Sequence, residues 1–222
     1  ERLVVSALGY KYLFYRSPSY QLKTLWQDQS AVVVFFRRWG CMLCRLWAKE
    51  LGEIAPVLAK HNIKLIGIGV EDEGSKEFVD KKFFDGDLYY VQNLDTYHSL
   101  GFKRFNVMTI LTSLFWKQSR DAIFKGRSMG LESDLTGDGL QNGGAILIRN
   151  GRFSRLFVQI GPGDHLSNAK ILEVPNFCFI DGERLFWERC RRRIVESLPR
   201  QACSIVTYHQ YANSVTLLPI IL

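Results

Sequence analysis

Cys41 and Cys44, separated by Met42 and Leu43, are the residues of this chain best equipped for chemistry. They follow the apolar run Ala31–Phe36 and precede a segment with Leu46, Leu51, Ile54, Val57 and Leu58 at helical spacing. Two cysteines three apart at a strand-to-helix junction can face each other across the first helical turn and close a small disulfide. The start of a helix carries unpaired N–H groups and the positive end of its dipole, both of which favour a thiolate. Arg37, Arg38 and Arg45 add positive charge close by in sequence. The chemistry these residues point to is two-electron reduction by a thiol pair.

Other uses of the pair fit less well. A structural zinc site needs two further ligands, usually a second close pair. Cys178, Cys190 and Cys203 are too widely spaced for that, and His61, His98, His165 and His209 form no ligating pair, so no metal is expected. One close pair among five cysteines does not resemble the disulfide framework of a secreted protein, and a reducing compartment, the cytosol, is the expected setting. No apolar window reaches the length of a membrane span. Glu1–Leu8 has no apolar core with a small-residue cleavage site, so no complete secretory signal is read there.

The 222 residues are 47% hydrophobic and 23% charged, which suits a globular domain with a substantial core. The net charge of +7 comes in part from Arg189, Arg191, Arg192 and Arg193. No zinc-finger or RNA-recognition signature accompanies that cluster, so a solvated helix face accounts for it and nucleic acid is not expected. Excess positive charge favours an anionic small substrate, such as a fatty carboxylate.

The elements that must position the pair are legible from periodicity. A short extended lead-in precedes a helical turn at Leu22–Trp26. Ala31–Phe36 reads as a strand covered on both faces. Arg45–Lys60 reads as a helix that Pro56 should bend or end. Lys64–Val70 is a second buried strand, Ser75–Phe84 a helix with Ser75 as N-cap, and Leu88–Val91 a third strand. Thr96–Leu100 gives a helical turn, and Val107–Leu131 a helical excursion with a loop. After the glycine-rich turn Thr136–Gly144, Ala145–Arg149 and Phe153–Gln159 form a hairpin across Asn150-Gly151. Asn168–Val174 is a closing helix. The order βαβαβ then ββα is a thioredoxin-like α/β arrangement, a central mixed sheet flanked by helices. It puts the cysteines at the C-terminal end of the first central strand, where open α/β sheets place their sites. Gly67-x-Gly69 lacks the third glycine of a dinucleotide fingerprint, and no Walker or G-x-S-x-G sequence is present.

Arg37-Arg38-Trp39-Gly40-Cys41-Met42-Leu43-Cys44-Arg45 resembles the R-R-x-G-C-x-x-C-R segment of the peroxiredoxin-like family of the thioredoxin superfamily. Gly101–Asn106, Gly137–Gly144 and Phe157–Asp164 are similar to the branch of that family that acts on prostaglandin endoperoxides. The resemblance runs from about Leu3 to about Val174. It implies a cytosolic enzyme that reduces a small lipid endoperoxide, that of prostaglandin H2 or its ethanolamide, to the F-type diol with NADPH as reductant. A thioredoxin-type protein is an alternative carrier of the electrons. Cys41 and Cys44 carry over as catalytic, and Arg38 and Arg45 are candidates for stabilising a thiolate or alkoxide.

Which cysteine attacks stays open: thioredoxin logic selects Cys41, peroxiredoxin logic Cys44. The chain lacks the peroxiredoxin threonine and its upstream proline, which argues against hydrogen peroxide as the best substrate. Gly143 and Gly144 stand where thioredoxins carry a cis-proline, and on this reading they open space for a lipid. Trp39 and Trp47 flank the pair as candidate pocket walls or as core, and His98 and His165 are candidate proton donors. Residues 1–174 form the expected thioredoxin-like domain. Residues 175–222, with a helix at Glu183–Ser197, form a C-terminal extension. Two other functions suit the same scaffold: a peroxiredoxin-like antioxidant acting on peroxides or protein disulfides, and a non-enzymatic binding module.

Overall fold

The computed structural model describes residues 4–7, 19–70, 74–91, 93–134 and 138–173. The expected extension, its helix, Cys178, Cys190, Cys203 and the arginine cluster lie outside these residues.

The strands are β1 (Val4–Ala7), β2 (Ser19–Gln21), β3 (Ser30–Phe35), β4 (Ile63–Val70), β5 (Asp87–Val91), β6 (Gly144–Arg149) and β7 (Arg152–Val158). They make one mixed sheet in the order β2-β1-β5-β4-β3-β6-β7. β3 lies at its centre, parallel to β4 and antiparallel to β6. Its valines alternate between two cores, as period-two side chains must. Val32, Val34 and Phe36 face α1 (Met42–Lys60) and the cysteines. Ala31, Val33 and Phe35 face a layer built from the turn Leu22–Trp26 and α3 (Asp95–Ser99). This is the thioredoxin-like architecture, extended by the β1–β2 pair on its β5 edge.

The remaining helices are α2 (Ser75–Asp80), α4 (Val107–Ser113), α5 (Lys117–Ser128) and α6 (Asn168–Leu172). The 107–131 excursion is thus two short helices. Asn150 and Gly151 both take positive φ, at 48° and 72°, as the two-residue hairpin requires.

Three local details refine the sequence expectations. Helix α1 runs through Pro56 to Lys60. One interior proline costs about 3 kcal/mol. Leu51, Ile54 and Leu58 are buried on either side of it, each worth about 1.5–3 kcal/mol, and hold both halves on the sheet. Second, α2 ends at Asp80, and Gly74, not Ser75, is its N-cap, in the left-handed region at φ 81°. Third, Gly67 and Gly69 sit inside β4. A Cβ on Gly69 would fall 2.1 Å from the Trp39 ring, and one on Gly67 would meet Leu88 and Phe36. These glycines admit aromatic side chains, and the space above them is filled.

One hydroxyl ties the strand ends that carry the site. Tyr97 Oη lies 2.7 Å from the Phe36 carbonyl and 3.0 Å from that of Ile68, at the C-terminal ends of β3 and β4, and donates between them. Burial, with a contribution from Cys44, pushes its phenol well above the usual tyrosine range, so it stays a donor. Tyr97→Phe keeps the ring contacts with Phe35 and Phe102 but removes the donor at the Phe36 carbonyl and leaves the Ile68 carbonyl only the Phe36 N–H. We expect a stability loss of about 1–3 kcal/mol in urea unfolding.

Candidate active site

Cys41 stands at the N-cap of α1 and Cys44 one turn in, so both sulfurs reach the end of β3. Both residues are buried and both thiols are free; Cys41 is 6% exposed and Cys44 1%. The pair is electrostatically unequal. The Cys44 thiol donates to the Cys41 sulfur, and this contact does most to lower Cys41 well below the usual thiol range. Burial opposes that shift. The Arg37 guanidinium, the Cys44 backbone N–H and the Arg38 charge reinforce it. The Cys41 side chain makes no regular cap hydrogen bond, so the helix start acts on the sulfur mainly as a field. Cys44 is pushed well above the usual range, first because it donates to Cys41 and second by burial. Of the two, Cys41 is the sulfur that ionises more readily and Cys44 the one that keeps its proton.

The cation beside the thiolate is Arg37. Its Nη2 donates to Cys41 Sγ at 2.9 Å, and its Nη1 to the Gly139 carbonyl at 3.4 Å. The Phe105 ring lies 5.9 Å from the guanidinium carbon. Burial disfavours the charge on Arg37, but the two cysteines outweigh it and hold the guanidinium protonated. Among the described residues no carboxylate bonds to it. Sequence reading listed Arg37 only as nearby charge. The missed signal was the strand itself: Arg37 directly follows the buried Phe35-Phe36 pair, so its side chain starts from inside the core.

The other sequence candidates are placed differently. Arg38 is half-buried; its charge lowers Cys41 and its backbone lowers Cys44. Arg45 is 1% exposed and turned away from the sulfurs. Its Nε donates to the Trp39 carbonyl at 3.1 Å, Nη1 to the Glu132 carbonyl at 3.0 Å, and Nη2 to Glu77 at 2.5 Å and Asp134 at 3.1 Å. Arg45 therefore ties the cysteine loop, α2 and residues 132–134 together. One step past Cys44 on the helix means a turn of about 100°, which aims Arg45 elsewhere. Trp39 is core, packed on Phe36, Phe78 and Gly69. A Cβ on Gly143 would fall 2.1 Å from the Phe35 carbonyl, and one on Gly144 2.1 Å from the Phe157 carbonyl. These glycines permit close backbone approach and open no lipid cavity. His98 is exposed on α3.

His165 is close enough to the site to feel Arg37. Its ring stacks on Trp47 at 5.0 Å, and Trp47 Nε1 donates to the Leu166 carbonyl. Its Nε2 is buried without a partner. Burial, then the Arg37 charge, push its pKa down to about 3 despite the Pro162 carbonyl. It is neutral at physiological pH and holds no spare proton to donate.

Segment 131–134 covers the cysteine loop. Asp134 N–H donates to the Gly40 carbonyl at 2.9 Å, Ser133 Oγ to the same carbonyl at 3.3 Å, and Met42 N–H to Ser133 Oγ at 3.5 Å. A Cβ on Gly40 would strike the Asp134 carboxylate. Among the described residues no group of three or more His, Cys, Asp or Glu side chains is placed to hold a metal, and no helix is long and apolar enough to cross a membrane.

A cysteine pair of unequal acidity, at the C-terminal end of the central strand of this sheet, is the arrangement expected of a thiol oxidoreductase of thioredoxin-like fold. Residues 50–162, which begin just past the cysteines, match the family model of the AhpC/TSA antioxidant enzymes. The prostamide/prostaglandin F synthase of Homo sapiens is 38% identical over 156 residues, spanning 69% of this chain and 79% of that protein. The same synthase of Xenopus laevis is 37% identical over 155 residues, spanning 69% and 77%. That of Sus scrofa is 39% identical over 155 residues, again spanning 69% and 77%. The chain belongs to the prostamide/prostaglandin F synthase family, peroxiredoxin-like oxidoreductases of the thioredoxin superfamily.

Two measurements check the electrostatics. An ordinary thiol loses alkylation rate about tenfold per pH unit below its pKa of about 8.5. Alkylation of Cys41 by iodoacetamide should hold its rate from alkaline to neutral pH in the wild type and regain the ordinary dependence in Arg37→Met. For His165, the unfolded chain takes up a proton below about 6.5 and the folded protein only near 3. Below 6.5 the unfolded state therefore binds more protons, so stability is full above 6.5 and falls as pH drops towards 3. His165→Phe, which keeps the stack on Trp47, should flatten that part of the stability profile.

Proposed function

We propose that the chain reduces the 9,11-endoperoxide of prostaglandin H2, or of its ethanolamide, to the F-type diol, with Cys41 attacking and Cys44 resolving. The inequality of the two sulfurs carries the reading, and kinship with the synthases supplies the substrate. The Cys41 thiolate attacks one peroxide oxygen, forming an S–O bond and breaking O–O. The released alkoxide takes the proton of Cys44. The Cys44 thiolate then attacks Cys41 Sγ, breaks S–O and releases the second alkoxide, which takes a proton from solvent. Two thiols become one disulfide, and one peroxide becomes two hydroxyls. Arg37 stabilises negative charge at the reacting sulfur.

NADPH is the reductant implied by the sequence resemblance. The glycines of β4 offer it no cradle, since Trp39, Phe36 and Leu88 occupy the space above them. Its electrons are best delivered by a thioredoxin-type carrier that reduces the Cys41–Cys44 disulfide from outside. A cytosolic setting suits that supply.

One observation favours a second reading, peroxiredoxin-like reduction of small peroxides. Cys41 shows only 6% of its surface, so a lipid endoperoxide must displace segment 131–134, whereas hydrogen peroxide need not. A product assay separates the two. Purified protein is given prostaglandin H2 or hydrogen peroxide, with NADPH, thioredoxin and thioredoxin reductase. We expect F-type product at a higher kcat/KM than peroxide turnover. Cys41→Ser should fall to the uncatalysed rate, and Cys44→Ser should react once without turning over. Faster turnover of hydrogen peroxide would establish the second reading instead.

A further inference from the structure

Helix α4 is amphipathic the wrong way round, and α5 carries a large aromatic on its outer face. A surface helix normally turns its apolar stripe to the core. Helix α4 buries Ser113, at 0% exposure, and shows solvent Val107, Met108 and Leu111. The stripe continues through Leu114 to Phe115, which is 81% exposed, and ends at the half-exposed Trp116. Val107, Met108 and Leu111 sit at i, i+1 and i+4, one side of α4, and Leu114–Trp116 form the turn that follows it. Helix α5 packs Ala122 and Ile123 on the core, yet its Phe124 stands 76% exposed. Trp116 packs against Gly161, but Phe115 and Phe124 stand free of the core, so something else must account for them.

The charge around them says what. Residues 103–129 hold six basic residues (Lys103, Arg104, Lys117, Arg120, Lys125, Arg127) and one acid, Asp121, a net +5. Arg104 pairs with Asp138 and Lys125 with Glu50. Lys103, Lys117, Arg120 and Arg127 are exposed with no acidic partner among the described residues. On α5, Lys117, Arg120, Phe124 and Arg127 recur at i, i+3, i+7 and i+10, a single stripe of cations around one aromatic ring. Exposed large apolar side chains among lysines and arginines are the composition of a helix that lies on an anionic bilayer.

We propose that α4, the turn Leu114–Trp116 and the outer stripe of α5 dock on an anionic lipid surface. The same charge argues against other occupants. A second copy would set +5 against +5. Residues 174–222 carry six basic and four acidic residues, again net positive. The face also adjoins the dithiol. A Cβ on Gly126 of α5 would lie 3.1 Å from Met42, which stands between the two cysteines, and Phe105, just before α4, faces Arg37. A docked protein would hold the entrance to Cys41 near the phase in which a lipid endoperoxide dissolves. Docking itself goes beyond the proposed function, because it requires neither turnover nor the dithiol.

Flotation with phosphatidylcholine vesicles, with and without phosphatidylserine, tests it. The wild type should float only with phosphatidylserine, and binding should weaken with added salt. Near an anionic surface each basic residue is worth about fivefold in affinity, so Lys117→Glu with Arg120→Glu should lose at least about 25-fold. Phe115→Ser with Phe124→Ser should abolish insertion, and both double variants should keep the wild-type melting curve. Cys41→Ser should still float, which separates this inference from the peroxide chemistry. Absence of binding in the wild type, or binding unchanged by both double variants, would overturn it. So would a wild-type dimer in light scattering that Phe115→Ser converts to monomer.

Discussion

The contact between Arg37 and Cys41 is the constraint around which the site is organised. A guanidinium in the core is tolerable only with an anion beside it, because burial of an unpaired charge is expensive. Among the described residues that anion is the Cys41 sulfur, 2.9 Å away. The dependence runs both ways: the thiolate needs the cation to ionise while buried, and the cation needs the thiolate to stay buried. Oxidation to a disulfide removes the anion and leaves Arg37 unbalanced. The electrostatics thus favour the reduced pair and make a Cys41–Cys44 disulfide easier for an external dithiol to reduce.

The rest of the framework keeps that contact in register. Tyr97 closes the ends of β3 and β4 directly before Arg37. Arg45, with two carboxylates and two carbonyls, fixes the loop from Trp39 and the segment lying over it. Glu77 is held below the usual carboxylate range by Lys81 and then by Arg45, so it remains an anion for this clamp. Gln159 locks the other wall, accepting the Gly143 N–H and donating to the Asp164 carbonyl. One arginine serves the sulfur and the other serves the fold, although both lie within four residues of a cysteine.

That division explains what could be read from the sequence and what could not. The strands, the hairpin at Asn150-Gly151 and the cysteines at a strand-to-helix junction follow from local patterns, because period two, period 3.6 and turn chemistry act over a few residues. Choosing among Arg37, Arg38 and Arg45 depends on direction, which proximity in sequence does not encode. The glycines misled for a related reason. Gly143 and Gly144 suggest room for a ligand in the sequence, but the space belongs to the backbone of β3 and β7. Glycine marks close approach without saying by what. The outward stripe of α4 was legible only as an apolar, then basic, excursion; its inversion needs the knowledge that Ser113 faces inward.

Burial of Cys41 bears on substrate choice in a way the electrostatics do not. A sulfur in contact with Arg37 and Cys44, on a residue only 6% exposed and in a loop that segment 131–134 holds, is protected from adventitious oxidants, and oxidation susceptibility follows exposure as well as ionisation. The seal rests on hydrogen bonds of 2.9–3.5 Å between Gly40, Met42, Ser133 and Asp134. Such bonds contribute about 1 kcal/mol each in net terms, so a ligand can exchange them at modest cost. A bulky apolar substrate gains burial on entering, at about 25 cal/mol per Å² removed from water, and can offset that cost. Hydrogen peroxide gains nothing comparable and must rely on the small opening already present. Burial of the pair therefore sets two different conditions of access: a small peroxide must fit the opening that exists, and a larger substrate must be matched by the apolar surface it buries.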